Sequence, residues 1–159
     1  MYLLSRVKDF LDNQKVSYTH HVHRTAYTAQ EVAAEEHIPG KMMAKTVVVK
    51  AGNQLAMVVI PASARLDLEA LRRLVANREA RLASELEFTG AFPDCDVGAM
   101  PPFGNLYGVP VYVDAALTED EEIAFNAGTH QDSIHMKYAD FARLVKPTIG
   151  PLSLSRVAA

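Results

Sequence analysis

The chain has 159 residues, of which 49% are hydrophobic and 22% charged, and its net charge is −3. These values are ordinary for one soluble globular domain, and they exclude a disordered tail, a collagen-like repeat and a disulfide scaffold. No apolar run approaches the roughly 18 residues that a membrane helix needs, and the N-terminus lacks the features of a signal peptide. The single cysteine, Cys95, cannot form an internal disulfide, which fits a reducing compartment. We therefore expect a single cytoplasmic domain over residues 1–159.

The first half of the chain alternates helices with strands. Apolar residues at helical spacing predict an amphipathic helix over 3–14, and a short strand is predicted over 18–23. A capping-box pattern opens a further helix over 28–37. Two strands follow, over 44–50 and 55–60, and the Gly-Asn turn between them predicts an antiparallel hairpin.

The second half continues this alternation. A helix begins after the N-cap residue Asp67, a short helix is predicted over 84–88, and a last helix over 139–145 ends before Pro147. Three more strands are predicted, over 109–113, 122–126 and 134–137. Strands mixed with helices, some of them in hairpins, predict an α/β (α+β) fold in which helices pack on a mixed sheet.

Charge is distributed unevenly along the chain. The negative total argues against a nucleic-acid binder, but residues 41–81 carry a net charge of +5 and residues 82–132 one of −10. A basic block of this kind can attract phosphate even when the whole chain is acidic. Arg72, Arg73 and Arg78 lie in an amphipathic pattern within this block, so a solvated helix face accounts for them equally well.

Lys45 lies in a strand whose two faces are both largely apolar, which predicts a central strand that is buried on both sides. A lysine in such a strand must either reach solvent at the strand end or stand in a polar cavity. The first arrangement is the commoner one. The second would place an ammonium group at a cavity floor, where it can hold phosphate or a developing negative charge.

Two further segments have residues suited to a site. In Gly98–Gly104, two prolines stiffen a loop whose N–H groups could face a ligand oxygen, although a rigid turn between a helix and a strand explains the motif as well. Asn126–His130 ends a strand in Gly-Thr-His, and polar groups at a sheet edge often belong to sites. A lone histidine, however, is more often structural than catalytic.

Metal and covalent chemistry are not expected. His20, His21 and His23 do not have a zinc-binding spacing, and no cysteine or acidic ligand lies close to them in sequence. Cys95 is flanked by Asp94 and Asp96, whose negative charges would raise its pKa and reduce its reactivity. Nucleophile elbows, phosphate-binding glycine loops and dinucleotide fingerprints are also missing from the sequence.

Three segments, taken together and in this order, resemble the YbaK family, also called the aminoacyl-tRNA synthetase-associated domain. They are Ala44-Lys-Thr-Val-Val-Val, Gly98-x-x-Pro-Pro-Phe-Gly104, and Ala127-Gly-Thr-His130 followed by Met136. The resemblance extends from the N-terminal helix to about Val145. It implies a strongly twisted, mixed β-sheet with flanking helices. The family includes the editing insertion of bacterial prolyl-tRNA synthetases and free-standing relatives, which hydrolyse the ester of mischarged tRNA.

The resemblance also implies roles for individual residues. Lys45 would be the catalytic lysine that engages the tRNA end, and N–H groups near Gly98 and Ala99 would face the ester carbonyl. The substrate-binding residues implied are Thr46, Gly98, Ala99, Met100, Pro101, Gly128, Thr129 and His130. The acceptor stem would bind Arg72, Arg73 and Arg78. His130, expected to shape the pocket or orient water, favours a small amino acid such as alanine on tRNA(Pro).

The expected partners are mischarged tRNA and an aminoacyl-tRNA synthetase, with no membrane, no DNA, no metal and no cofactor. Two alternatives to a hydrolase stay open. One is a non-catalytic module that binds tRNA or an aminoacyl group beside a synthetase, and the other is a small-molecule sensor that has kept the pocket. If the acidic residues of 82–132 surrounded the cavity mouth, they would repel tRNA and favour the sensor.

Overall fold

The computed structural model describes residues 3–92 and 95–155, so Asp94, expected beside Cys95, lies outside the described residues. The helices of this part of the chain are α1 (Leu3–Asn13), α2 (Ala29–Glu35), α3 (Leu68–Leu74), α4 (Glu85–Phe88) and α5 (Tyr138–Val145). Its strands are β1 (Tyr18–Val22), β2 (Met43–Ala51), β3 (Gln54–Pro61), β4 (Ala64–Leu66), β5 (Arg81–Leu82), β6 (Val111–Asp114), β7 (Glu122–Asn126), β8 (Asp132–Lys137), β9 (Thr148–Gly150) and β10 (Ser153–Ser155).

The predicted elements are all present, but four strands are additional. These four, β4, β5, β9 and β10, are two or three residues long, which is too short for a periodic sequence pattern to stand out. None of the helices in the described ranges is long and apolar enough to cross a membrane.

Eight of the described strands form one mixed sheet in the order β1-β8-β7-β2-β3-β6-β9, with β5 also paired to β2, while β4 and β10 pair separately. The predicted hairpin is confirmed, since β2 and β3 are antiparallel. On its other side β2 pairs in parallel with β7, and β3 pairs in parallel with β6. The strand that contains Lys45 is therefore central, as its apolar faces predict.

One face of the sheet is covered by α1, α5 and the proline-rich loop. Val7 and Leu11 of α1 and Phe141 of α5 are fully buried in one apolar cluster, which also contains Val48 and Val59 from the sheet. Residues four apart lie on the same side of a helix, so α1 buries the apolar stripe that predicts it.

The opposite face is covered by α2 and α3. Val32 of α2 packs in a cluster with Met43, and Leu71 of α3 packs in a second cluster with Val49. Because side chains alternate along a strand, Met43, Lys45 and Val49 all point to this face. Lys45 therefore lies between the two helices.

The proline-rich loop is fixed in the core by Phe103. Its fully buried ring makes edge contacts with Phe10, Phe125 and Phe141, at centroid distances of 6.0, 5.4 and 5.5 Å. At the next residue, Gly104, a Cβ atom would lie only 2.4 Å from the carbonyl oxygen of Val109. The end of the loop thus has no room for a side chain.

Gly104→Ala tests this packing. We expect it to lower the free energy of unfolding by about 1–3 kcal/mol, because the added methyl group meets backbone that cannot move away cheaply. Gly90→Ala is the matched control, since a Cβ at Gly90 meets nothing within 4 Å. Urea denaturation measures both variants, and equal stability of the two would show that the loop end is not tightly packed.

Candidate functional site

A cavity of about 360 Å³ opens on the sheet face that α2 and α3 cover. It lies where the segment entering α2 meets the beginning of β2, the end of β7 and the loop before the two prolines. Its lining residues are Tyr27, Thr28, Ala29, Gln30, Lys45, Thr46, Ala62, Gly98 and Asn126. Three of the predicted site residues, Lys45, Thr46 and Gly98, are therefore brought together, although Gly98 is more than 50 positions away from the other two along the chain.

Lys45 is the only charged residue among the described residues that line this cavity. It is partly buried, and its neighbours on the same strand face, Met43 and Val47, pack into the apolar clusters under α2 and α3. A lysine held between two apolar clusters directs its ammonium group to the polar space that remains. Of the two arrangements considered for Lys45, the polar cavity is the one found.

Two buried polar atoms of the cavity residues have no hydrogen-bond partner among the residues described. They are Oγ1 of Thr46 and Oδ1 of Asn126. Buried polar atoms are nearly always paired in folded proteins, so the unpaired amide oxygen of Asn126 suits a polar ligand. Thr46 borders the cavity, but its side chain alternates with that of Lys45 and points to the opposite sheet face, with Ala44 and Val48. Asn126 opens the segment 126–130 that the sequence points to, but it is not among the substrate-binding residues that the resemblance implies. The signal for it is a polar side chain that ends the otherwise apolar strand β7, where it is 7% exposed.

The two glycine-containing loops join directly through their backbones. The Asp96 N–H donates to the carbonyl oxygen of Gly128, and the Gly128 N–H donates to that of Ala99, both at 2.8 Å. Gly98 and Gly128 have φ of +85° and +103°, a region that favours glycine over residues with a side chain. The loop that borders the cavity is therefore held by the turn that follows β7.

The expectation that the Ala99 N–H faces a substrate carbonyl is wrong. That N–H donates to the carbonyl oxygen of Asp96 at 3.0 Å and is therefore already used. Ala99, Met100 and Pro101 are buried and do not line the cavity, and Met100 packs in the main apolar cluster. Their side chains support the loop from beneath, so any direct contact with substrate falls to Gly98.

Thr129 closes the turn between β7 and β8. Its hydroxyl donates to Oδ2 of Asp132 at 2.6 Å and accepts from the Asp132 N–H at 3.0 Å. Burial raises the pKa of Asp132, but the hydrogen bonds from Thr129 and His20 outweigh this and leave the pKa below its ordinary value. Thr129 is thus engaged in the turn and does not line the Lys45 cavity.

His130 lies in an adjoining cavity of about 450 Å³, which shares Tyr27 with the first. Its Nε2 lies 2.8 Å from the carbonyl oxygen of Val97, and its backbone N–H donates to Oδ2 of Asp96 at 3.1 Å. Because a carbonyl oxygen only accepts, Nε2 is the protonated nitrogen. His130 therefore holds the segment just before Gly98 and touches the cavity indirectly.

The three predicted arginines, two in α3 and one in the segment after it, divide into two kinds. Arg72 donates from Nε to the carbonyl oxygen of Ala80 at 2.9 Å and pairs with Glu69, so it has a structural role. Arg73 and Arg78 are exposed and line a separate cavity of about 570 Å³. Since α3 covers the same sheet face as the Lys45 cavity, these two exposed arginines are the better candidates for contact with an anionic partner.

Carboxylates of the acidic segment do not line the Lys45 cavity in the described part of the chain. Asp96 and Asp132 are bonded to His130 and Thr129, and Asp114 accepts from the Leu152 N–H at 2.8 Å. Asp96 does line the adjoining cavity, so acidic residues lie beside the Lys45 cavity but not in its described wall, and the sensor alternative stays open.

Residues that could hold a metal lie at the other end of α2. The ligand atoms of His21, Glu36 and His135 lie within 4.8 Å of one another. A metal is not expected from the sequence because no acidic ligand lies close to the histidines there, but the fold brings Glu36 next to two of them. Burial raises the pKa of Glu36, but hydrogen bonds from His135 and Ser133 outweigh it and leave the pKa below its ordinary value.

Comparison with known proteins finds one family. Residues 23–144 match the family model described as the aminoacyl-tRNA editing domain. The chain is also 34% identical over 98 residues to the multifunctional Ser/Thr-tRNA deacylase ProXp-y of Escherichia coli (strain K12). The aligned region is 61% of this chain and 58% of that protein, so it spans less than two thirds of the relative's length.

Solved structures share the fold. The hypothetical protein APE2540 superposes with a TM-score of 0.84 at 19% identity, covering 93% of this chain and 99% of that one. A candidate trans-editing enzyme for prolyl tRNA synthetase superposes with a TM-score of 0.83 at 20% identity, covering 96% and 98%. At these identities the similarity establishes the fold alone, and it confirms the predicted architecture.

Thr46→Val tests whether the Thr46 hydroxyl is unpaired in the folded chain. We expect the free energy of unfolding to stay the same or rise, because the variant removes a buried polar atom that has no partner. Thr129→Val is the matched control and should cost about 1–3 kcal/mol, since its hydroxyl is bonded to Asp132. Urea denaturation measures both, and a loss at Thr46 equal to that at Thr129 would contradict the assignment.

Proposed function

The chain belongs to the aminoacyl-tRNA editing domain family, as its motifs predict, and we propose that it is a trans-acting hydrolase of mischarged aminoacyl-tRNA. The observation that supports this most is the Lys45 cavity, which is lined by one lysine and by the unpaired amide oxygen of Asn126. Its volume of about 360 Å³ lies within the usual range of small-ligand sites. The end of a tRNA is anionic, and the described lining has no carboxylate to oppose it.

The reaction needs positioning more than a strong nucleophile. Water attacks the carbonyl carbon of the ester, the bond to the ribose oxygen breaks, and that oxygen takes a proton, which releases the amino acid and tRNA. In this proposal Lys45 binds the phosphate or ribose of the terminal adenosine, and the Gly98 N–H stabilises the developing oxyanion. The neighbouring ribose hydroxyl can assist the water, which explains why the chain needs no catalytic triad.

His130 acts as a positioning residue in this scheme. Its ring donates to the Val97 carbonyl and lies 4.9 Å from the ring of Tyr27, which lines both cavities. Replacing it would move the wall that includes Gly98 rather than remove a group that touches the ester. This supports the expectation that His130 shapes the pocket.

Alanine on tRNA(Pro) is the substrate that the motif with His130 favours, and it stays our first candidate. Serine and threonine are the second, because a side-chain hydroxyl can donate to the unpaired Oδ1 of Asn126. The similar protein from Escherichia coli is named as a Ser/Thr-tRNA deacylase, which supports this second candidate. One methylene group changes the selectivity of an apolar pocket by only about 1–3 kcal/mol, so these substrates have to be compared directly.

Lys45→Ala tests the proposal on a panel of alanyl, cysteinyl, seryl and threonyl esters of tRNA(Pro), with prolyl-tRNA(Pro) as the correctly charged control. We expect the wild-type chain to hydrolyse one or more of the wrong esters. The variant should be about 10²–10³-fold slower, because it loses the group that positions the tRNA end.

Lys50→Ala is the control for removing a lysine from the same strand. Lys50 lies at the far end of β2, where its Nζ bonds Glu87 at 3.0 Å, and its loss should leave the rate unchanged. Binding of tRNA without hydrolysis of any ester would favour the non-catalytic module that partners a synthetase. An unchanged rate in Lys45→Ala would remove Lys45 from the mechanism.

Arg73→Glu combined with Arg78→Glu tests where the acceptor stem binds. We expect weaker tRNA binding and a flatter dependence of log Kd on log salt concentration, since two phosphate contacts are lost. Arg72 is kept because it holds Ala80 and Glu69. The control is Lys137→Glu with Arg143→Glu, an equal charge reversal at exposed positions at the start of α5 and within it. Equal salt slopes for the two variants would place the tRNA elsewhere.

A further inference from the structure

Three histidines and a glutamate meet where the C-terminal end of α2 lies against β1 and β8. This histidine cluster consists of His21, His23, Glu36 and His135. The ligand atoms of His21, Glu36 and His135 lie within 4.8 Å of one another, and Nε2 of His23 lies 3.6 Å from Oε2 of Glu36. The cluster is separate from the Lys45 cavity, which the opposite end of α2 borders.

The hydrogen bonding of His23 leaves one of its ring nitrogens facing the cluster without a partner. Its Nδ1 lies 2.7 Å from the carbonyl oxygen of Arg24, and because a carbonyl only accepts, Nδ1 is the donor. The other ring nitrogen, Nε2, faces the Glu36 carboxylate at 3.6 Å. The His23 side chain is 3% exposed, and its Nε2 has no hydrogen-bond partner among the described residues.

The distances suit a metal ion better than a shared proton. Two ligand atoms bonded to one tetrahedral ion at about 2.0–2.1 Å lie roughly 3.3 Å apart. The 3.6 Å between His23 and Glu36 is close to that value and too long for a normal hydrogen bond. The 2.5 Å hydrogen bond from Nε2 of His135 to Oε1 of Glu36 would open by less than 1 Å when the ion replaces its proton.

An outer carboxylate completes the arrangement. Nδ1 of His135 lies 3.6 Å from Oε1 of Glu122, on the opposite side of the ring from Glu36. At this distance the carboxylate acts on the ring by its charge and not through a direct hydrogen bond. Histidines that bind metals commonly donate their second nitrogen to a carboxylate, which orients the ring and makes it a stronger ligand. The rings of His21 and His135 are also in contact, with centroids 4.0 Å apart.

We propose that the histidine cluster binds one divalent transition-metal ion such as Zn²⁺, and that this ion joins the end of α2 to β1 and β8. Imidazole with one carboxylate is a ligand set that suits Zn²⁺ and its neighbours. The site is structural, since it lies apart from the residues assigned to hydrolysis. The inference stands on the cluster itself and is independent of the proposed function.

The test uses the full chain after treatment with a chelator and dialysis. Zn²⁺ is titrated by calorimetry, and Co²⁺ is titrated by the visible absorption that tetrahedral Co²⁺ gives. We expect one ion per chain and a higher Tm with Zn²⁺. Glu36→Gln, which keeps the shape but removes the charge, should weaken binding at least tenfold. Glu122→Gln should weaken it about 10–100-fold through His135.

Two histidine variants keep the inference falsifiable if Glu36→Gln does not fold. His21→Gln should weaken binding and change the Co²⁺ spectrum, whereas His20→Gln should do neither. His20 is adjacent on the same strand but bonds Asp132 at 2.7 Å, outside the cluster. Binding weaker than millimolar, or equal binding by His21→Gln and His20→Gln, would overturn the proposal and leave the cluster as a hydrogen-bonded contact between α2 and the sheet.

Discussion

The candidate site depends on the burial of β2 on both faces of the sheet. Apolar clusters cover this central strand from both sides, and the two on the Lys45 face belong to α2 and α3. A lysine in that position cannot lie against either helix without burying its charge, so its ammonium group occupies the polar gap between them. The cavity is therefore a consequence of how the helices divide one sheet face.

The wall of the cavity is made rigid by backbone hydrogen bonds and by one aromatic side chain. Gly128 exchanges bonds with the segment 96–99, and His130 holds the carbonyl of Val97 from the same turn. A few residues further on, the ring of Phe103 fixes the loop among three other aromatic rings. A loop held at both ends loses little entropy when a ligand binds, which suits a site that acts by positioning.

Internal bonding explains how an acidic chain can offer a cavity for an anionic ligand. The carboxylates of Asp96, Asp114 and Asp132 each accept hydrogen bonds from other residues of the fold. Glu87 pairs with both Arg81 and Lys50. These pairs also neutralise two of the positive charges in the basic segment 41–81. Net charge along the sequence therefore describes neither the cavity nor the surface well, because the paired groups act over short distances only.

Local sequence patterns are enough to predict the helices, the longer strands and the family. They also predict three of the residues that meet in the cavity: Lys45, Thr46 and Gly98. Periodicity and motifs involve residues that are close along the chain, so they can be recognised without the structure. Only the tertiary structure decided that Asn126 lines the cavity, that the Ala99 N–H is already bonded, and that Glu36 meets His135. Each of these depends on a hydrogen bond or a contact that forms only when the backbone folds. Glu36 and His135 are about 100 positions apart, and no local pattern predicts a contact over that separation.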